Sequence, residues 1–325
     1  MNSWSDVVIG VPTYRRPALL RALLESLAPE AGPHPVTVVV ADNDGDPAIA
    51  ALVAELADEL RLDLHYRAVT ERGISQVRNQ LIRTATELVP TWRWLVMYDD
   101  DGTLTPGCLE RLLSQGEQIG ADIVGGRVLH GVGEHDRAIA RAYMAASLRP
   151  RANGLVDMIN GAQNTALGRR VVDLVGDPWY PDDHGLSGGE DYAFFARAKA
   201  LGARFGWVDD AAVNEPIPAA RLTDRAVLHR AFVENAANAL TDCQLHGRGA
   251  AVQHLLGDLR WPFVHLVSGL RHHDHDVMAD SMVGIVGLAG RATGLAGGRF
   301  EPYRECSIVT ARPSSAPSTA GPLAH

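Results

Sequence analysis

Three consecutive carboxylates, Asp99, Asp100 and Asp101, follow an apolar run at 94–98 and precede a turn that contains glycine and proline. An apolar run that ends in charged and turn-forming residues predicts a buried strand that brings the charges to an edge of a sheet. Like charges at this spacing repel each other, so they require water or a cation around them. Carboxylate oxygens suit Mg2+ or Mn2+, and these ions usually complete their shells with substrate phosphates. The alternative is a solvated acidic turn that caps the next helix.

A second acidic pair, Glu190 and Asp191, follows the polar, glycine-rich segment 182–189. The residues after the pair predict a helix that Gly202 ends. Carboxylates in the first turn of a helix are stabilised by the helix dipole, so a capping role alone would explain the pair. A chemical role for it depends on what the rest of the chain resembles.

The composition allows a large core and excludes several classes of protein. Of the 325 residues, 46% are hydrophobic and 21% charged, which is typical of one large globular domain or a domain with an appendage. The net charge of −9 argues against nucleic acid as a partner, because such proteins usually carry a basic surface. No uncharged stretch is long enough to cross a bilayer. The three widely spaced cysteines, and an N-terminus without a signal-peptide pattern, predict a cytoplasmic protein with reduced thiols.

The first part of the chain alternates strands and helices. Apolar runs predict strands at 7–11, 36–41 and 62–69, with helices between them and after the third. This order predicts an α/β fold with a parallel sheet and right-handed crossovers. Neither a glycine-rich dinucleotide motif nor a Walker lysine loop follows any strand, which argues against a dinucleotide-binding fold or a P-loop enzyme.

The loops after these strands carry polar residues, and loops at strand ends are where open α/β sheets bind ligands. The candidates are Pro12, Thr13, Tyr14 and Arg15 after the first strand, Asp42 after the second, and Gly73, Arg78 and Asn79 after the third. Each has an ordinary structural explanation when taken alone. Arginines are common at helix starts, an aspartate is common in turns, and an Arg-Asn pair on a helix is usually solvated.

The ordered set of these motifs resembles an inverting family 2 glycosyltransferase of the GT-A fold, a nucleotide-diphospho-sugar transferase with an Asp-x-Asp motif. The matching pieces are Val-Pro-Thr-Tyr-Arg at 11–15, Asp42-Asn43, Gly73-Ile74-Ser75 with Arg78-Asn79, Asp99-Asp100-Asp101, Asn160-Gly161-Ala162 and Gly188-Gly189-Glu190-Asp191. The resemblance implies a mixed, mostly parallel sheet flanked by helices, with a C-terminal helical extension. It covers about the first two-thirds of the chain.

The resemblance also implies roles for individual residues. The donor nucleotide would be held by Pro12, Thr13, Tyr14, Arg15, Asp42, Gly73, Arg78, Asn79, Asp99 and Asp100, with Gly161 under the donor sugar. Asp101 and Asp99 would bind the metal, Mn2+ or Mg2+. Asp191 would be the general base, with Glu190 as the second choice. The chain lacks the histidine that many relatives carry near 214–218, and Glu215 is the nearest candidate for a third metal ligand.

We expect a catalytic domain at 1–220, with a nucleotide-sugar half at about 1–105 and an acceptor half at about 106–220. Within it, 131–150 could be a mobile loop or an acceptor-facing helix. The apolar pattern predicts a further strand at 156–167 and a pair of strands at 203–213. A helical extension would cover 221–310, and 311–325 would be a disordered tail. The helices of the extension could pack on the catalytic domain, form a homo-oligomer, or touch the inner face of a membrane.

The function implied is transfer of a sugar from a nucleotide-diphosphate donor, UDP- or dTDP-type favoured, to a hydroxyl or an amine. The acceptor could be a saccharide, a lipid-linked molecule or a small molecule. A catalytically inactive sugar-nucleotide-binding or scaffold protein is the alternative from another class. A nucleotidyltransferase is disfavoured because the glycine-rich basic loop expected near its N-terminus is missing.

Overall fold

A computed structural model describes residues 4, 6–31, 34–133, 136–182, 188–298 and 300. The strands are β1 (Val7–Thr13), β2 (Thr37–Asp42), β3 (Asp63–Ala68), β4 (Trp94–Met97), β5 (Thr103–Leu104), β6 (Ile123–Leu129), β7 (Gly154–Val156), β8 (Thr165–Gly168) and β9 (Phe205–Asn214). The helices are α1 (Pro17–Ala31), α2 (Pro47–Leu60), α3 (Ile74–Leu88), α4 (Cys108–Ile119), α5 (Ala138–Leu148), α6 (Arg169–Val175), α7 (Glu190–Ala200), α8 (Asp224–Asp258), α9 (Arg260–His272) and α10 (His275–Leu295). The predicted tail at 311–325 lies outside the described residues.

One sheet carries the strands, in the order β3-β2-β1-β4-β8-β6-β9-β5, with β7 paired to β9. The half from β3 to β4 is parallel, as the alternation of strands and helices predicts. The other half is mixed, because β8 runs antiparallel to both β4 and β6 while β6 and β9 are parallel. The α/β prediction is therefore confirmed.

The central strands are buried on both faces, which is why they appear in the sequence as continuous apolar runs. On one face, Ile9 and Val11 of β1 pack with Leu20 and Leu24 of α1. On the other face, Val8 belongs to the cluster that contains Leu81 of α3. Both layers hold β1 rigidly, so the residues at its carboxyl end have fixed positions.

The pairing register of β1 with β2 and β4 brings the carboxyl ends of these three strands to the same edge of the sheet. Thr13 of β1 is level with Asp42 of β2, and Met97 at the end of β4 is level with Gly10 of β1. The backbone N–H of Tyr98 extends this pairing by donating to the carbonyl of Gly10 at 3.1 Å. The three aspartates after β4 therefore emerge beside the loop that follows β1.

The second half of the chain differs locally from the sequence interpretation. The segment 203–213 contains most of the single strand β9 instead of a strand pair, because β9 lies between β6 and β5 and pairs with both as one long strand. The segment 156–167, interpreted as continuous strand, contains parts of β7 and β8 separated by a turn. Within 131–150 the structure forms helix α5.

The C-terminal helices form a closely packed group. Helix α10 lies so near α8 that a Cβ added to Gly290 would be 2.2 Å from the carbonyl oxygen of Phe232, and one added to Gly294 would be 2.2 Å from that of Ala236. Among the described residues, no helix is long and apolar enough to cross a membrane. The extension therefore packs through backbone contacts that only glycine permits.

We predict that Gly290→Ala lowers the free energy of unfolding by about 1–3 kcal/mol, because the added methyl group forces α10 away from α8. Gly249→Ala is the matched control, because a Cβ at Gly249 in α8 would meet nothing within 4 Å. Alanine there should leave stability unchanged or raise it by up to about 1 kcal/mol. Chemical denaturation of both variants checks this, and equal midpoints would contradict the close packing.

Candidate active site

The loop after β1 contacts the triple aspartate directly. The hydroxyl of Thr13 donates to Asp100 at 2.8 Å. Arg16 donates through Nη1 to Asp100 at 3.1 Å and to Asp101 at 2.9 Å. Burial raises the pKa of Asp100 to about 6, although the charge of Arg16 opposes that rise. Two of the three aspartates thus share one arginine as their counter-charge.

Arg78 on α3 joins the two acidic groups. Its guanidinium is almost completely buried and donates to both Glu190 and Asp191, while Nη2 lies 3.5 Å from Oδ1 of Asp99. Tyr180 lies beneath it, with the guanidinium carbon 5.6 Å from the ring centroid. Residues more than a hundred positions apart in the chain therefore meet at one cation.

Asp191 has a second fixed contact, because its Oδ2 accepts the backbone N–H of Ala162 at 3.0 Å. Burial raises the pKa of the Asp191 carboxyl, and the neighbouring Glu190 adds to the rise while Arg78 opposes it. Burial likewise raises the pKa of Asp99, again against Arg78. A carboxylate that is held in place and has a raised pKa is suited to accept a proton near neutral pH.

Helix α3 begins directly after Gly73, whose backbone is held in place by a hydrogen bond. Gly73 has φ of 143°, a conformation that favours glycine, and its N–H donates to Oδ1 of Asn43 at 2.8 Å. Asn79 forms two hydrogen bonds with the backbone of Tyr180, at 2.8 and 2.9 Å. Gly73 and Asn79 thus position α3 and the segment that leads toward the acidic pair.

Asp42 is fully buried and points inward. Its carboxylate accepts the N–H groups of Asp44 and Asp46, at 3.0 and 2.8 Å, and the hydroxyl of Tyr66 at 3.0 Å. These contacts shape the loop after β2. Its nucleoside-binding role stays a prediction, and the structure gives the carboxylate three internal partners.

Side chains beside Asp42 are more open to the surface. Arg15 forms a two-point ion pair with Asp44, at 2.6 and 2.8 Å. The ring of Tyr14 lies near two guanidinium groups, with Arg15 at 5.0 Å and Arg72 at 5.2 Å from its centroid. Pro12 lies in β1 and pairs with Ala41. This end of the site presents an aromatic ring with two cations close to it.

Gln163 is a site residue that the sequence interpretation missed. Its Oε1 accepts the N–H of Asp99 at 2.6 Å and that of Asn164 at 3.1 Å, while its Nε2 donates to Glu215 at 3.3 Å. It therefore connects the triple aspartate to β8 and β9. No local sequence signal identified it, because its partners Asp99 and Glu215 lie more than fifty positions away in the chain.

Glu215 faces the triple aspartate. Burial raises its pKa to about 7, and the charges of Asp101 and Asp99 contribute. Nδ1 of His130 lies 3.8 Å from its Oε1. The sequence interpretation did not use His130, although the pairing of Leu129 with Asn214 brings the residues after both strands side by side.

The carboxylates fit a divalent cation by their chemistry. Asp99, Asp101 and Glu215 offer hard oxygen donors, and their mutual repulsion is the kind that a cation relieves. Within the described part of the chain, no three histidine, cysteine or acidic side chains are already arranged to hold a metal ion. The cations in contact with the three aspartates are Arg16, which pairs with Asp100 and Asp101, and Arg78, which pairs with Asp99.

Comparison with known proteins decides the family. The model of glycosyl transferase family 2 matches residues 8–173, just over half of the chain. The chain belongs to glycosyl transferase family 2. It is 32% identical over 251 residues to the succinoglycan biosynthesis protein ExoM of Rhizobium meliloti (strain 1021), which covers 76% of each protein. The predicted family and the assignment as a glycosyltransferase enzyme are confirmed.

Solved structures support the GT-A fold of this family 2 glycosyltransferase. Mannosyltransferase PcManGT from Pyrobaculum calidifontis, in complex with GDP-Man and Mn2+, aligns with a TM-score of 0.58 at 16% identity over 89% of this chain and 87% of that one. Residues 1–349 of S. aureus TarS, in complex with UDP, align with a TM-score of 0.51 at 14% identity over 90% and 92%. The fold prediction is confirmed.

We predict that Arg78→Ala lowers the free energy of unfolding by about 3–5 kcal/mol, because it leaves buried carboxylates without their counter-charge. Arg83→Ala on the same helix is the matched control, since Arg83 pairs with Asp177 on the surface and should contribute less than about 1 kcal/mol. Denaturation of both variants by urea checks this. Similar losses in the two would contradict the central place of Arg78.

Proposed function

We propose that this family 2 glycosyltransferase transfers a sugar with inversion, with Asp191 as the general base and a divalent cation at Asp99 and Asp101. The observation that carries the proposal is the contact of Arg78 with Asp99, Glu190 and Asp191. It brings the candidate base to the candidate metal ligands. The acceptor oxygen attacks the anomeric carbon, the bond from that carbon to the phosphate oxygen breaks, and the acceptor proton moves to Asp191.

Asp191 is the better placed of the two acids in the pair. Arg78 and the N–H of Ala162 hold its two oxygens, so the carboxylate has a defined orientation. Its raised pKa makes it a stronger base than an ordinary aspartate. Glu190 is the second candidate and is more deeply buried, which leaves it less accessible to an acceptor. Because a sugar hydroxyl is a weak acid, proton transfer must accompany bond formation.

The cation would be Mn2+ or Mg2+, held by Asp101 and Asp99 with Glu215 as the candidate third ligand. When bound, it would stabilise the negative charge that develops on the leaving diphosphate. Arg16 contacts Asp101 and adds positive charge on the same side. The Mn2+ in the complex of PcManGT is consistent with this choice of metal.

The donor is a nucleotide-diphospho-sugar, with UDP- and dTDP-type donors the first to test. Pro12, Thr13 and Tyr14 would meet the nucleoside and Arg15 the diphosphate, and the open space at Gly161 leaves room for a sugar. Similar folds bind GDP-Man in one protein and UDP in another, which supports the donor class. The similarity to a succinoglycan biosynthesis protein supports a saccharide acceptor, free or lipid-linked.

We predict that the matching nucleoside diphosphate raises the melting temperature only with Mn2+ present, because a ligand of the folded state stabilises it by mass action. Screening UDP, dTDP, GDP and ADP by thermal shift checks this. Asp101→Asn should abolish the metal-dependent shift, whereas Asp58→Asn on the exposed side of α2 should keep it. A normal shift in Asp101→Asn would remove Asp101 from the metal site.

Asp191→Asn should keep the nucleotide shift and lower turnover by about 10²–10⁴-fold, because the amide cannot accept the acceptor proton. A donor-consumption assay on purified protein measures the loss. Glu190→Gln should be measured in parallel, because Glu190 is the second candidate for the base. A larger loss in Glu190→Gln, with nearly normal turnover in Asp191→Asn, would transfer the role of base to Glu190.

The pH profile should show the state of the base. Because the pKa of Asp191 is raised, we predict that kcat/KM falls as pH decreases through a value well above that of an ordinary aspartate. The protonated carboxyl cannot accept a proton, so activity is present above that pKa and lost below it. A profile that stays flat down to about pH 4.5 would contradict a raised pKa at the base.

A further inference from the structure

Helix α9 and the end of α8 carry an exposed apolar surface, here called the α9 face. Its residues are Leu256, Leu259, Phe263, Val264, Val267 and Leu270. Phe263, Val267 and Leu270 are 48%, 58% and 55% exposed, and they recur at helical spacing on one side of α9. A contiguous exposed apolar surface of this kind marks an interaction site.

The inner side of α9 is already occupied by α10, which fixes the direction of the α9 face. Gly269 lies so close to α10 that an added Cβ would be 2.7 Å from Met278, and Pro262 lies against Gly284 in the same way. His265 lies 3.8 Å from Asp280 on that inner side. The apolar residues of α9 therefore point away from the rest of the protein.

Charge distinguishes this surface from the rest of the molecule. The chain has a net charge of −9, yet 259–273 contains Arg260, Arg271 and three histidines and no carboxylate, and the preceding Asp258 is already paired with Arg291. In the described part of the chain, neither of these arginines forms an ion pair. They lie near the two ends of α9, about three helical turns apart, with Phe263, Val264, Val267 and Leu270 between them. Trp261, 65% exposed, adds an aromatic side chain at one end.

We infer that the α9 face docks on an anionic lipid bilayer, with α9 lying in the plane of the interface. An apolar stripe with arginines at its ends matches a surface of acyl chains beneath phosphate headgroups. Tryptophan and arginine both place a polar end in water while their apolar parts contact lipid. A helix of 13 residues is too short to span a bilayer, so the contact is peripheral. A symmetric dimer through the α9 face would instead place the arginines of one copy against the same surface of the other, which has no carboxylate at 259–273.

Flotation of the full-length protein with vesicles tests this inference, and it needs no donor or acceptor, so it is independent of the proposed chemistry. We expect binding to phosphatidylcholine vesicles that contain about 30% phosphatidylglycerol, and weaker binding to pure phosphatidylcholine or at high salt. Phe263→Ser combined with Val267→Ser should lower partitioning about tenfold or more, because it removes the apolar contact. Leu155→Ser, at an equally exposed leucine on β7, is the control and should bind as the native protein does.

Arg260→Gln combined with Arg271→Gln should reduce the preference for anionic vesicles, whereas the exposed control Arg225→Gln should preserve it. In the native protein, lipids with brominated chains should quench Trp261 emission, and Trp261→Phe should remove that component. Absence of vesicle binding by the native protein, or full binding by the Phe263 and Val267 variant, would overturn the inference. The inference would also be overturned if light scattering showed that the native protein is a dimer, that the Phe263 and Val267 variant is a monomer, and that neither binds vesicles.

Discussion

A buried guanidinium surrounded by carboxylates is the interaction on which the arrangement of this enzyme depends. Removing a charge from water costs several kcal/mol even after the protein relaxes, so Arg78 and its acidic neighbours can be buried only together. The pair with Glu190 and Asp191 attaches α7 to α3, and the contact with Asp99 attaches both to the end of β4. One cation thereby joins three elements of the fold.

The change of strand direction beside β4 builds the other side of the site. The strand β8 runs antiparallel to β4, so the turn before β8 comes to the same sheet edge as the end of β4. That turn supplies Ala162 for Asp191 and Gln163 for Asp99. The long strand β9 then brings Glu215 to the same place. If β8 ran parallel to β4, Ala162 and Gln163 would lie at the opposite edge of the sheet.

The C-terminal helices reach the site through α8. A Cβ on Gly189, just before the acidic pair, would be 2.9 Å from the Cβ of Ala237 in α8, and Tyr192 donates to Asp242 at 2.6 Å. Helix α10 holds α8 by close backbone packing, and α9 lies on the outside of that pair. The extension therefore supports the start of α7 while its outer surface stays available for another contact.

The sequence by itself determined the parts of this protein that depend on local chemistry. Apolar runs identified β1, β2 and β4, because strands buried on both faces must be apolar along their length. Charged and turn-forming residues after those runs marked the edge where the site lies, and their order along the chain indicated the family.

Only the tertiary structure decided which residues the site side chains contact. The direction of Asp42 into its own loop, and the meeting of Arg78 with acids more than a hundred residues away, depend on register and packing. The roles of Gln163 and His130 were invisible for the same reason, because local sequence carries no information about which distant strand will lie beside a residue.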